Sequence, residues 1–396
     1  MEIKIVKNSS VNNGKYLKAG YVLEEITGKS HYEDISTTRL FLYNINENTK
    51  TEIAPKLVKY VLGDVCNVSK NSDCIYFVTA SVKEDDVYDA CIVRYNYIDN
   101  VTEPIYSFEV NMEEYNSIYK LKIFVLNDIC ILIQRDELTS NIAGTFYDYN
   151  RHSLKLYNIN EEHMYDVMDE NFIKNGIDSM YAVSDNTAII KTGFSLLPDN
   201  KYNLYEKEEM SVETISLITI GQLISDIMIG QSNISTNIID QAYCTRTFPV
   251  VEVVDEYLKY SAVNLDTREE EVFLYNVDTK EVRSLINQNV IRMTDLAKVY
   301  FIDKKLWILV SSENNIIFVN IDDMNNKITF DDKLTFNDIT NGLFILSGEA
   351  SKGIFKKVFY NYFEIHSHNN KMLLREKGTY LFSICTEDND IYIFVK

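Results

Sequence analysis

The sequence predicts an all-β fold built from repeated hairpins. Three observations carry that reading. A hairpin corner marked by Tyr-Asn recurs along the chain. A strand-like apolar run precedes most of the recurrences. Only four prolines occur, with no Pro/Gly/Ser-rich linker, so the pattern runs on without a break in composition.

The clearest copies of the corner are "LFLYNINENTKTEI" (Leu40 to Ile53) and "VFLYNVDTKEVRSL" (Val272 to Leu285), which align almost residue by residue. Related copies are "IVRYNYIDNVTEPIYSF" (Ile92 to Phe108) and "GTFYDYNRHSLKLYNI" (Gly144 to Ile159). Weaker ones are "NIIFVNIDDMNNKITF" (Asn315 to Phe330) and "KVFYNYFEIHSHN" (Lys357 to Asn369). The marks fall near Asn44, Asn96, Asn150, Asn203, Asn276, Asn320 and Asn361. Apart from one long gap between the fourth and fifth, the spacing is roughly 40–50 residues, the length of a propeller blade. Asn and Asp in the corners suit tight turns, because their side chains bond the local backbone and tolerate left-handed conformations.

Runs such as "CIYFVTASV" (Cys74 to Val82), "ICILIQRDEL" (Ile129 to Leu138) and "KVYFIDKKLWILVSS" (Lys298 to Ser312) supply the strands before the corners. A four-stranded unit cannot bury its own faces, and radial packing of such units supplies the missing contacts. The expectation is therefore a β-propeller, a single domain over residues 1–396, with seven blades preferred and six to eight allowed. Pairing of "MEIKIVK" (Met1 to Lys7) with the terminal strands of "GTYLFSICTEDNDIYIFVK" (Gly378 to Lys396) is expected to close it. One segment departs from the repeat. Between Ser211 and Gln241, Leu217, Ile220, Ile224 and Met228 follow a helical stripe, read as a short helical or irregular insertion at about 211–241. A helical turn is also expected within Asn158 to Asn175.

The hairpins resemble the broad class of β-propellers without the marks of a named family. The Gly-His and Trp-Asp pairs of WD40 blades, the kelch Gly-Gly and the aspartate box of sialidases are missing. The resemblance assigns no functional residue.

Charge bounds the partners. The formal net charge is −20, which argues against nucleic acid and against an anionic membrane surface. No apolar stretch reaches the roughly 18 residues of a membrane helix. The six cysteines, Cys66, Cys74, Cys91, Cys130, Cys244 and Cys385, form no CxxC pair, and several sit in apolar runs. With no apolar signal-like region at the N-terminus, they read as free thiols of a cytoplasmic protein.

No chemical motif emerges. There is no GxSxG, HExxH, GxGxxG or P-loop. His366 and His368 are the one close histidine pair, placed by alternation on the same face of a strand, with no third metal ligand nearby. The acidic clusters at 83–86, 168–171, 266–271, 320–326 and 386–390 read as turns. Tyrosines recur at the corner, as Tyr43, Tyr95, Tyr149, Tyr202 and Tyr275, and Trp307 sits in a core-like run. No catalytic residue, cofactor or metal is assigned, and oligomeric state is left open. The functional expectation is a non-enzymatic binding or scaffolding propeller for a protein or small-molecule ligand. The alternative is a carbohydrate-active hydrolase or lyase with acidic residues at a central channel. A third reading makes 211–241 a docking element for a partner protein.

Overall fold

The structure is a computed structural model that describes residues 2–7, 9–28, 37–53, 60–61, 64–67, 72–84, 87–111, 122–141, 148–193, 213–242, 246–254, 257–264, 266–285, 299–302, 305–312, 315–323, 325–331, 333–352 and 358–396. Corner marks Asn203 and Tyr202 lie outside them, as does Cys244.

The strands run in chain order through eight sheets. After β1 (Ile3–Val6), the first sheet holds β2 (Lys15–Tyr16), β3 (Tyr21–Gly28), β4 (Thr37–Asn44) and β5 (Thr49–Glu52). The second holds β6 (Tyr60–Val61), β8 (Cys74–Glu84), β9 (Val87–Asn96) and β10 (Val101–Asn111). Between β6 and β8, the strand β7 (Asp64–Asn67) leaves to pair in parallel with the third sheet. That sheet contains β11 (Lys122–Val125), β12 (Cys130–Asn141), β13 (Asp148–Asn158) and β14 (His163–Asp166). Helix α1 (Glu170–Asn175) leads to the fourth sheet: β15 (Ile177–Ser184), β16 (Thr187–Thr192), β17 (Glu213–Thr219) and β18 (Asn237–Ala242). Helix α2 (Ile220–Met228) lies within this sheet, between its third and fourth strands. The fifth sheet is β19 (Arg246–Val254), β20 (Tyr257–Asn264), β21 (Glu270–Asn276) and β22 (Val282–Ser284). The sixth is β23 (Val299–Ile302), β24 (Lys305–Ser312), β25 (Asn315–Asn320) and β26 (Lys327–Phe330). The seventh is β27 (Thr335–Thr340), β28 (Leu343–Lys352), β29 (Val358–His366) and β30 (Met372–Lys377). The eighth joins β31 (Tyr380–Cys385) and β32 (Ile391–Val395) to β1, with Ile3 opposite Ile391 and Val6 opposite Phe394 in a parallel ladder.

The chain is thus an all-β propeller of eight blades, one more than the preferred seven. The extra blade comes from the tail. Asn361 lies inside β29 of a sheet that is already complete, so β31 and β32 belong to a separate blade that β1 finishes from the other end of the sequence.

The chain falls into two compact units, Met1–Gly28 with Thr38–Ala54 and Ala297–Lys396, and Lys29–Thr37 with Pro55–Leu296. In the first, the sixth and seventh sheets share a core of Phe318, Phe330, Phe344 and Leu346. The seventh and eighth share Phe363, Ile365, Ile391 and Ile393, all fully or almost fully buried. The eighth and first share Val22, Tyr43, Phe382 and Phe394. Each such side chain contributes about 1.5–3 kcal/mol on burial. In the second unit the same succession of shared cores links the second sheet to the third, the third to the fourth and the fourth to the fifth. Strands covered on both faces need no alternation, as in β20, where six consecutive residues are buried. The edge strand β30 instead carries Arg375, Glu376 and Lys377, which discourage pairing with another chain.

The apolar stripe of α2 does not face outward. Ile220, Leu223 and Ile227 are buried with Phe172 of α1 and Leu154 and Leu156 of β13. Asp169 caps α1 through the backbone N–H groups of Asn171 and Phe172 and also accepts from Ile234 N at 2.7 Å. The chain's own strands and α1 therefore occupy the face that a docking element would need.

The corner motif has a local cause. The Asn44 side-chain oxygen accepts from the N–H groups two and three residues on, at 2.9 and 3.2 Å. Asn96, Asn276 and Asn320 repeat this. Tyr43 donates its hydroxyl to Asn48 at 2.7 Å, and Tyr95 donates to Asn100 at 2.9 Å. Asn48 and Asn100 are left-handed, with φ of 54° and 57°. In the third sheet the same corner is made by Asn158, not by the expected Asn150, which lies inside β13.

Candidate functional site

Turns of the sixth and seventh sheets, all in one compact unit, surround a cavity of about 550 Å3. Its apolar lining is Ile302, Trp307 and Ile328, all buried. Lys305 opens β24, directly opposite Ile302 in the ladder, and Lys327 opens β26. Both lysines, at the starts of the second and fourth strands of the sixth sheet, line the cavity. Neither lysine forms an ion pair among the described residues, whereas Lys4, Lys191 and Lys259 do. Among the described residues, the cavity's lining contains no carboxylate.

Trp307, the single tryptophan, is 6% exposed, and its indole N–H has no acceptor among the described residues. A buried donor left unpaired costs about 1–3 kcal/mol. Trp307 pairs with Tyr300 on one side and Asn320 on the other, so the ladder fixes its position. The sequence reading of Trp307 as core is right about burial and silent about the cavity.

The opposite wall is the turn after β29. Buried His366 makes contacts of 2.8 Å from Nε2 to Glu364 Oε2 and 3.1 Å from Nδ1 to Asn370 Oδ1. Asn370 in turn donates to the Thr329 carbonyl at 2.6 Å. Arg375 holds the other Glu364 oxygen at 3.3 Å and lies 3.8 Å over the Tyr362 ring. This chain of contacts anchors the turn, so that Asn369, Asn370 and exposed His368 line the cavity. His366 and His368 do not share a face: the strand ends at His366, and alternation ends with it. Among the described residues, no group of three or more His, Cys, Asp or Glu side chains is arranged to hold a metal ion.

A second cavity, of about 610 Å3, lies in the same unit between the seventh sheet and the start of β31. Hydroxyls and amides line it. Ser347 Oγ donates to Asn337 Oδ1 at 3.2 Å, and Asn361 Nδ2 to Thr379 Oγ1 at 3.1 Å. The buried Asn337 Nδ2 has no acceptor among the described residues. Tyr380, also in its lining, donates to Asp338 Oδ2 at 3.0 Å, and Ser383 donates to the same oxygen at 2.9 Å. Burial and the Asp338 carboxylate push the Tyr380 phenol well above its ordinary range, so it acts as a donor and not as a base.

Several described residues of the acidic clusters serve turns, caps and ladders. Asp169 caps α1, Asp322 and Asp323 sit in the Asn320 corner, and Asp390 binds Lys4 at 2.8 Å beside the β1–β32 ladder. Among the described residues, no carboxylate lines the first cavity and Glu349 alone lines the second, so these residues bring a carboxylate pair to neither. Cys74, Cys91, Cys130 and Cys385 are free thiols.

No family model matches the chain, and no curated protein matches it. Solved structures do. The chain is similar in fold to dipeptidyl peptidase 4 of Porphyromonas gingivalis, with a TM-score of 0.51 and 10% identity over 96% of this chain. It spans 57% of that peptidase's length. Weaker similarities are to Pyrococcus horikoshii acylaminoacyl peptidase (TM-score 0.43, 8% identity, 97% of this chain and 64% of that one) and to the β-propeller domain of the Trilobed protease from Pyrococcus furiosus (TM-score 0.40, 9% identity, 92% and 93%). The first likeness shows the fold. It also corrects the expectation of a non-enzymatic binding or scaffolding propeller. That expectation rested on missing chemical motifs, and the matched fold belongs to a peptidase. The carbohydrate-active alternative is set aside with it.

Proposed function

We propose that the chain is a peptidase-related propeller that receives peptide for hydrolysis. The observation that carries this reading is the fold shared with a dipeptidyl peptidase over 96% of the chain. The lining of the second cavity supports it, because Thr335, Asn337, Ser347, Asn361 and Thr379 offer the donors and acceptors that an extended peptide backbone requires. No Gly-x-Ser-x-Gly elbow occurs in the 396 residues. In this proposal the propeller holds and presents the peptide, and a hydrolytic group outside these residues breaks the bond. A cytoplasmic setting belongs to the same proposal, supported by the free thiols. So does the exclusion of nucleic acid and anionic membrane as partners, supported by the net charge of −20. No helix among the described residues is long and apolar enough to cross a membrane.

The test is selective retention. A mixed peptide digest and a mixed oligosaccharide pool are passed over the immobilised chain, and the bound fractions are read by mass spectrometry. Enrichment of peptides is expected. Retention of oligosaccharides, or of neither pool, overturns the proposal.

A further inference from the structure

We infer that the Trp307 cavity binds the C-terminal carboxylate of a peptide whose last side chain is apolar. The inference deepens the peptide-receiving role and rests on it for the identity of the ligand. The chemistry of the cavity stands by itself. Lys305 and Lys327 bring two positive charges with no ion pair among the described residues, in a chain of net charge −20. Among the described lining residues no carboxylate competes for them. The Trp307 N–H, buried and without an acceptor among the described residues, calls for an oxygen. The charges and the indole donor together favour an anion rich in acceptors.

The apolar lining narrows the class. Ile302, Ile328 and the Trp307 ring would be poorly used by inorganic phosphate, whose surface is wholly polar. They suit an organic anion with a hydrocarbon body beside its charge. A peptide's last residue has that form, with a carboxylate attached directly to the carbon that bears the side chain. Asn326 and Asn369 supply further amide donors at the cavity for the carboxylate or the last peptide carbonyl. No covalent step is involved, and binding is reversible.

Because Trp307 is the single tryptophan and lines the cavity, its fluorescence reports occupancy directly. The intact chain is titrated with three probes: the tripeptide Gly-Gly-Leu with a free carboxylate, the same tripeptide amidated at its C-terminus, and inorganic phosphate. A saturable change is expected with the free acid, about tenfold weaker with the amide, and weaker still with phosphate. Affinity for the acid should fall as salt is raised, since the lysines are exposed. Lys305→Gln with Lys327→Gln alters exposed positions only, and the pair should weaken acid binding at least about tenfold, with unchanged circular dichroism. Equal binding of acid and amide overturns the inference, as does preference for phosphate or a lack of response to any probe. Hexanoate is the arm that separates the two proposals. If it binds as tightly as the tripeptide, the carboxylate site stands and its assignment to peptide falls. If peptides are still retained on the column but the double variant retains them equally, the cavity assignment falls and the peptide-receiving role stands.

Discussion

Replacing Glu213 by alanine is expected to cost far more stability than removing an equal number of hydrogen bonds from a corner turn. Glu213 is fully buried at the start of β17. One carboxylate oxygen accepts from the Thr247 hydroxyl at 2.6 Å and the other from Phe248 N at 2.7 Å. Both donors belong to β19 of the next sheet, where the register shifts between Thr247 and Val250. Pro249 lies within that irregularity and has no N–H of its own to offer. The carboxylate thus bonds the backbone where the ladder is interrupted. Hydrogen bonds to a charged group contribute about 1.5–3 kcal/mol each, so Glu213→Ala should cost about 3–6 kcal/mol, and Glu213→Gln, which keeps one acceptor, about half as much. The control is Asn276→Ala. It removes two bonds of 3.0 and 2.8 Å at an exposed turn, where water replaces the side chain, so about 1 kcal/mol is expected. Urea unfolding followed by far-UV circular dichroism gives both values from the midpoint at constant slope. If Glu213→Ala costs no more than Asn276→Ala, the argument from burial is refuted.

Other expectations follow from single contacts. Tyr95→Phe removes the bond to left-handed Asn100 and should cost about 1 kcal/mol in the same unfolding experiment, with little further loss when Asn100→Asp is added. Gly348→Ala would put a Cβ 2.6 Å from the Tyr362 hydroxyl, an overpacking expected to cost about 1–3 kcal/mol and to be relieved in part by Tyr362→Phe. Burial pushes the Asp178 carboxyl up, but Lys191 and Lys122 more than offset this and hold it below its ordinary value. Its contribution is complete above the unfolded value near about 4 and is lost as pH falls through the lower folded value. An acid titration of stability should therefore fall less steeply below about pH 4 for Asp178→Asn than for the unaltered chain. Burial pushes the Cys130 thiol up to about 11, so it should resist alkylation at neutral pH until the chain unfolds, as read by mass spectrometry of the modified peptides.

The corner was legible in the sequence where its cause is local. Asn44, Asn96, Asn276 and Asn320 each bond the backbone two and three residues ahead, and such a contact leaves a short fixed pattern. The pattern misled at Asn150 and Asn361, where Tyr-Asn falls inside a long strand and the true corners come later, at Asn158 and after His366. The closing partnership was legible across the whole chain: β1 pairs with β32 as the termini suggested, with Glu2 N reaching Asp390 Oδ1 across 388 residues. The blade count was not, because the Asn361 mark falls in a sheet that is complete without β31 and β32, so the mark and the tail belong to two blades and not to one. The cavity was hidden because it is assembled from three turns. Lys305, Lys327 and Asn369 each look like ordinary turn residues, and Trp307 like core, until the ladders bring them together. The absence of the searched motifs is a fact of the sequence, and it does not by itself establish a scaffold.

The central claim is that this propeller receives peptide. Isothermal titration calorimetry with the most enriched peptide from the retention experiment, against a matched oligosaccharide, tests it most directly. The account predicts saturable heat with stoichiometric binding of peptide and none for the oligosaccharide. Saturable binding of the oligosaccharide, or no heat with the peptide, would contradict it.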